Sequence, residues 1–246
     1  MRIIGIDTAT CLASVALIEN GQILAERMDP SGQPADASAP RGPRSDHAAT
    51  LLPLIGSLLD AASVSLNDLG GIAVSIGPGS FTGLRIGLST VKGLAYGSAL
   101  PVVGIPTLLA TAARAVDYEG WVCALLDARK KQVYARLFQK AGDSLTGLSE
   151  HLLVPAKSVV EQVRGFGTKA SCLFIGNGAR LYQALFVDAF GSRAHFFLDE
   201  THPTPAAMVA RLGERRLQDQ DADDLGSLVP LYVRPPDAEA KRNIFL

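Results

Sequence analysis

Apolar residues recur along this chain in two rhythms. Short continuous runs at 2–6, 11–18, 22–28, 72–76, 101–105, 121–126, 132–139, 171–175 and 195–198, bounded by Gly, Pro, Asn, Asp or polar residues, predict strands. Helical spacing appears at 45–62, where Ala48, Leu51, Leu52, Ile55, Leu58, Leu59 and Ala62 share a face. Further helices are predicted at about 81–96, 107–116, 155–163, 180–186 and 205–218. Ser45 is placed to cap the first helix, and Pro53 inside it is expected to kink it or split off its first turns. The order strand, strand, strand, helix, strand, helix partly returns after residue 121. An Asp ends the first strand of a hairpin twice, at Asp7 and Asp127. Two α/β lobes with mixed sheets and flanking helices follow, 1–105 and 106–246, with the final helix and tail free to pack back on the first lobe. Between them in character is 29–44, which holds four prolines and only alanine as apolar content, and reads as a mobile loop.

The strand at 72–76 runs into Gly77-Pro78-Gly79-Ser80-Phe81-Thr82-Gly83-Leu84-Arg85-Ile86-Gly87. Strand, glycine loop and helix present backbone N–H groups to an anion. The Walker A spacing is absent, and the dinucleotide fingerprint would need Gly at Thr82 and an acid near Pro101 and Val102. On the helix, Leu84, Leu88, Val91 and Ala95 suit packing on a sheet, while Arg85, Ser89, Lys92 and Tyr96 form a polar strip. Gly83, Gly87, Thr90, Leu94 and Gly97 make a third face almost bare of side chains. Each mid-helix Gly costs about 1 kcal/mol relative to Ala, so the stripe needs a reason. Close approach of a second helix and a flat seat on the chain's own domain are the two alternatives.

Composition narrows the classes. The chain has 246 residues, 48% of them hydrophobic and 19% charged, and a net charge of −1, which suits a folded protein with no global pull toward nucleic acid. Basic clusters at Arg129-Lys130-Lys131 and at Arg211, Arg215 and Arg216 read as solvated faces. Cys11, Cys123 and Cys172 are scattered, without a CxxC pair, and read as buried strand residues rather than disulfide or zinc ligands. Asp7 interrupts what would be the apolar core of an export signal, and no 18-residue apolar run suggests a membrane span. A cytoplasmic protein is expected.

The opening Ile6-Asp7-Thr8-Ala9-Thr10, the loop from Gly77 to Gly87, Asp127-Ala128-Arg129 before Val133-Tyr134, and the late Pro230, Tyr232 and Arg234 together resemble the TsaB (YeaZ) family. The resemblance implies a duplicated actin-like, Hsp70-like ATPase (ribonuclease H-like) fold. It also implies a role in making threonylcarbamoyladenosine, the tRNA modification beside the anticodon. In that family the chain is a non-catalytic scaffold and dimerisation subunit that binds the related transferase TsaD. TsaE joins them, self-association is a further option, and tRNA is reached only through the complex. TsaD carries an HxxxH metal pair after a Val-Pro-rich strand, but the matching Val103-Gly104-Ile105-Pro106-Thr107-Leu108-Leu109-Ala110-Thr111 has no histidine, so no metal and no activity alone are expected. His47 stands alone at a helix start, suited to a cap or an interface.

Three groups of positions follow from this resemblance. Asp7, Thr8 and Asp127 would be a vestigial nucleotide cleft, with Ala128, Arg129 and Lys130 where an ATPase of this fold favours glycine. The partner interface would comprise His47, Leu51, Leu54, Ile55 and Leu58 with Gly83, Gly87, Thr90 and Leu94. No cofactor is expected beyond ATP or ADP at the interface of the complex. The competing reading is an ATPase or sugar-kinase-like phosphotransferase using the cleft between lobes. A peptidase finds no metal motif, nucleophile elbow or cysteine–histidine signature.

Overall fold

A computed structural model describes residues 1–29, 46–167, 170–197 and 203–233. The expected loop lies outside them apart from Asp29. The chain forms two compact units, and the first is discontinuous: Met1–Arg114 joins the described part of Asp199–Pro230. Its sheet contains β1 (Arg2–Asp7), β2 (Ser14–Glu19), β3 (Gln22–Met28), β4 (Gly71–Gly77) and β5 (Val102–Pro106), in the order β3-β2-β1-β4-β5. β1, β2 and β3 pair antiparallel, whereas β1, β4 and β5 pair parallel.

Near-continuous apolar strands need cover on both faces. Ile4, Ile6, Val15, Leu17, Ile72 and Val74 form one core with α1 (His47–Ala62) and α2 (Phe81–Ser98). Ile3, Ala16, Ile18, Ala73, Val103 and Ile105 form another with α7 (Pro205–Gln218), beside which lies α3 (Thr107–Ala113). Small residues let α7 sit almost on the strands. A Cβ built at Gly5 would lie 2.2 Å from the Ala206 carbonyl oxygen, and one at Gly213 would lie 2.4 Å from Ala73 Cβ. Thus α3 and α7 belong to the first unit: the division at 105/106 places α3 in the later lobe, whereas for α7 the expected option of the final helix packing back on the first lobe is the one taken. The first sheet has a second apolar face, and α7 covers it.

The ends of α1 differ from expectation. Asp46 caps the helix by accepting from the Ala48 N–H, and the helix runs unbroken through Pro53 to Ala62. The open edge of β5 is closed by the segment after α7. Asp223 donates its N–H to the Val102 carbonyl, and its Oδ2 accepts the Gly104 N–H at 2.7 Å. Arg216 binds the same Asp223 through two nitrogens and also the Gly104 carbonyl.

The second unit repeats the plan. β6 (Gly120–Asp127), β7 (Gln132–Ala141), β8 (Ser144–Gly147), β10 (Cys172–Ile175) and β11 (Ala194–Phe197) are ordered β11-β10-β6-β7-β8, and β9 (Leu152–Pro155) also pairs with β7. Two antiparallel hairpin partners and two parallel strands flank β6, as they flank β1. The duplication suggested by Asp7 and Asp127 is therefore present in the strand order. α4 (Ala156–Phe166), α5 (Asn177–Leu181) and α6 (Gln183–Phe190) accompany this sheet; the single helix expected at 180–186 is divided at Tyr182. Phe174 stacks on Phe186 with centroids 4.3 Å apart, inside a core that also holds Cys123 and Cys172. Cys11 is exposed, so the buried-strand expectation fails for it: it precedes β2 rather than lying within it.

Candidate functional site

The glycine loop converges on the end of β1. Ser80 caps α2, accepting the Gly83 N–H on its hydroxyl, and donates its own N–H to the Ala9 carbonyl at 2.7 Å. Side chains at three glycines would strike this strand end. A built Cβ lies 2.4 Å from the Ala9 oxygen at Gly79, 2.1 Å from the Thr8 oxygen at Gly83, and 2.3 Å from Thr8 Oγ1 at Gly87. At Gly79 and Gly83 the obstructing atom is backbone and cannot move aside, so only glycine lets the loop and α2 approach the end of β1 this closely; at Gly87 a Cβ would force the Thr8 hydroxyl to turn away. Gly83 and Gly87 are therefore covered by this chain: of the two alternatives left open by their spacing, the seat on the chain's own domain holds, and the docking stripe implied by the resemblance does not lie here.

The companion helix is corrected likewise. His47, Leu51, Ile55 and Leu58 are buried in the first unit, with His47 Nε2 held 3.0 Å from the Thr10 carbonyl. Of the expected interface set, Leu54, Thr90 and Leu94 remain part-exposed. The outward side of the pair is different. Leu52 (54% exposed) and Pro53 project from α1; Phe81, Arg85, Ser89, Gly93, Tyr96 (89% exposed) and Gly97 line α2. The Arg85 guanidinium covers the Phe81 ring at 3.9 Å. A Cβ added at Gly56, Gly93 or Gly97 meets nothing within 4 Å. Arg85, Ser89 and Tyr96 of this stripe were legible as a polar strip and Gly97 as part of the bare face; Phe81 and Gly93, which continue the same fourth-residue recurrence, were not assigned to it.

Asp7 is fully buried, and neither carboxylate oxygen has a hydrogen-bond partner at ordinary geometry. Burial pushes the Asp7 carboxyl pKa above the usual carboxylate value, opposed by the neighbouring Ser75 hydroxyl, the Ala9 backbone and the charges of His47 and Arg114. The Thr8 hydroxyl beside it is also buried without a hydrogen-bond partner. On α3, the Thr107 hydroxyl accepts the Gly77 N–H and the Thr111 hydroxyl donates to the Thr107 carbonyl. Among the described residues no group of three His, Cys, Asp or Glu is arranged to hold a metal.

In the second unit Asp127 ends β6 as Asp7 ends β1, but its surroundings are polar. Its N–H donates to Asn177 Oδ1, and its Oδ1 accepts the Arg129 N–H at 2.9 Å. Burial, then the Asp127 charge, pushes the Tyr182 hydroxyl up. The turn beyond is strained. Arg129, Lys130 and Lys131 have φ of 59°, 51° and 60°, and Gln132 N–H closes the turn on the Arg129 carbonyl. Two-residue hairpin turns of this hand favour Asn-Gly, and an ordinary L-residue there carries about 1 kcal/mol or more of strain.

Comparison with known proteins places these features. A family model described as "TsaD: tRNA N6-adenosine threonylcarbamoyltransferase" matches residues 37–242. The tRNA threonylcarbamoyladenosine biosynthesis protein TsaB of Bacillus subtilis (strain 168) is 28% identical over 241 residues, 98% of this chain and 97% of its own. The TsaB protein of Escherichia coli (strain K12) is 38% identical over 142 residues, an alignment spanning 57% of this chain and 56% of the relative. A structure titled "YeaZ from Pseudomonas aeruginosa" superposes with a TM-score of 0.72 at 26% identity, covering 94% of this chain and 99% of that one. A ROK hexokinase from Thermus thermophilus shares the fold alone, with a TM-score of 0.52 at 11% identity. The architecture is the duplicated, two-lobed α/β fold of the actin-like ATPases and sugar kinases.

Proposed function

The chain belongs to the TsaB/YeaZ family, and on that premise we propose that it is a non-catalytic subunit in threonylcarbamoyladenosine synthesis on tRNA, binding and supporting a TsaD-type transferase. The outward side of α1 and α2 is the binding surface in this reading. The observation that carries it is the exposed apolar and side-chain-free strip of Leu52, Gly93, Tyr96 and Gly97. An 89% exposed tyrosine beside open glycine positions suits a partner helix: the ring supplies apolar area with a polar tip, and the glycines permit close approach. The stretch 103–111 supports the non-catalytic part, because its side chains offer no imidazole to a metal. A TsaE-type subunit joins the assembly, and tRNA is its substrate rather than a ligand sought by this surface.

Gly93→Leu tests the surface cleanly. The added side chain has room in the free chain, and replacing a helical Gly stabilises α2 by about 1 kcal/mol. In titration calorimetry with the TsaD-type subunit, the variant should bind at least tenfold more weakly while melting no lower than the parent. Undiminished affinity in both Gly93→Leu and Tyr96→Ala would overturn the assignment of this surface.

A further inference from the structure

The net charge of −1 conceals a segregation. Residues 1–114 and 199–230 contain 10 Lys and Arg against 15 Asp and Glu; residues 115–198 contain 10 against 7. In the second unit the fold gathers cations at one end of the sheet. Arg129, Lys130 and Lys131 occupy the β6–β7 turn and are all exposed. Gln132, the next residue, pairs with Pro155 of β9, which brings the exposed Lys157 at the start of α4 to the same end. Asp127 accepts a backbone N–H of the turn and is tied through its own N–H to Asn177, so the exposed Arg180 of α5 emerges nearby. Glu161 lies one turn along α4 from Lys157, and Asp127 is the acid at the turn itself. Five exposed cations from three segments thus lie toward the end of the sheet where β6 turns into β7.

The backbone adds a second observation. Lys130 and Lys131 are the two central residues of the turn and, with Arg129 before them, are left-handed, where Asn-Gly at the central pair would be conformationally easier. The turn projects them from a rigid hairpin whose register runs unbroken from Gly120↔Lys140 to Asp127↔Val133. Exposed, clustered, long-reach cations on a fixed hairpin fit the evenly spaced charges of a phosphodiester backbone; a small anion would need convergent backbone donors. We infer that the β6–β7 turn, with Lys157 and Arg180, is an RNA-backbone contact. Given the proposed function, on which this inference rests, the RNA is the tRNA substrate, gripped directly by this chain in addition to the transferase.

Lys130→Asn with Lys131→Gly removes two charges while easing the turn, so loss of binding would not reflect unfolding. Fluorescence anisotropy of a labelled tRNA transcript titrated with the full chain, over a series of salt concentrations, reads the effect. The variant should melt no lower than the parent and bind the transcript several-fold more weakly. Its slope of log affinity against log salt should be shallower by about 1.5, as for two lost phosphate contacts. Lys130→Arg with Lys131→Arg should retain the parent's binding. Equal affinity and slope in parent and neutralised variant overturn the inference, as does no binding by the parent at about 100 μM protein in low salt, weaker than ordinary non-specific contact. So does full competition by inorganic phosphate or ADP at millimolar concentration, which would mark a small-anion site. Association of the variant with the TsaD-type subunit, measured in parallel, separates the two readings: its persistence with lost RNA affinity supports the contact. Lack of association by the parent chain removes the proposed assembly without touching the RNA measurement.

Discussion

Glycines that look alike in the helical pattern of α2 do opposite things. At Gly83 a Cβ would lie 2.1 Å from a backbone oxygen, which cannot swing aside, whereas at Gly93 it meets nothing within 4 Å. Gly83→Ala is therefore expected to lose about 2 kcal/mol through overpacking, and Gly93→Ala to gain about 1 kcal/mol from helix propensity. Thermal melts should show shifts of opposite sign; a fall in both would contradict the packing described. Asp7 gives a pH test. Its folded-state value is raised above 3.8 chiefly by burial, so the folded protein holds this proton more tightly than the unfolded chain. The resulting stability is present below 3.8 and is lost as pH rises through the folded value. Asp7→Asn should thus raise the melting temperature at pH 7, with the gain shrinking toward pH 4. A gain that is constant with pH would show that the carboxylate is not the source. The identity of Asp7 as the strand-ending acid was legible in the hairpin pattern. Its complete burial was not, because burial depends on residues distant in sequence, among them His47, Ser75 and Arg114, being brought around it.

Helix α7 shows how an element's type can be plain while its place is hidden. Its periodicity is clear, and Thr204 caps it by accepting the Ala207 N–H. Nothing in that periodicity says which sheet it covers, since any apolar strip will bury against any apolar face. The Ala206, Ala210 and Gly213 contacts with β1 and β4 decide the matter. Native-state hydrogen exchange should find α7 opening with β1 and β4 rather than with β6 and β10; the reverse grouping would contradict the assignment. The segment following α7 is held by Asp223, which serves Gly104 N–H and Arg216 together. Asp223→Ala leaves that N–H and the part-buried guanidinium without this acceptor. A loss of about 2 kcal/mol is expected in chemical denaturation, and a change under 0.5 kcal/mol would show that the β5 edge does not depend on it.

At the level of the molecule, duplication is the main result. Both sheets place a central strand ending in Asp between an antiparallel hairpin on one side and two parallel strands on the other. The local pattern of the chain was enough to establish strands, helices, the paired aspartates and the two-lobed class, because periodicity and turn residues act over neighbours a few positions apart. It was also enough for the resemblance to the TsaB family, which lies in residue types at fixed spacing. What it could not decide was which of several plausible faces is covered. Gly83, Gly87, Leu51 and Leu58 suit a partner or a core equally well by spacing; only the seating of α2 on Thr8 and the packing of α1 into the first core assigned them to this chain's interior, while Leu52, Gly93, Tyr96 and Gly97 face outward. Burial is a property of residues distant in sequence brought together, and excluded volume at a few short contacts settles it.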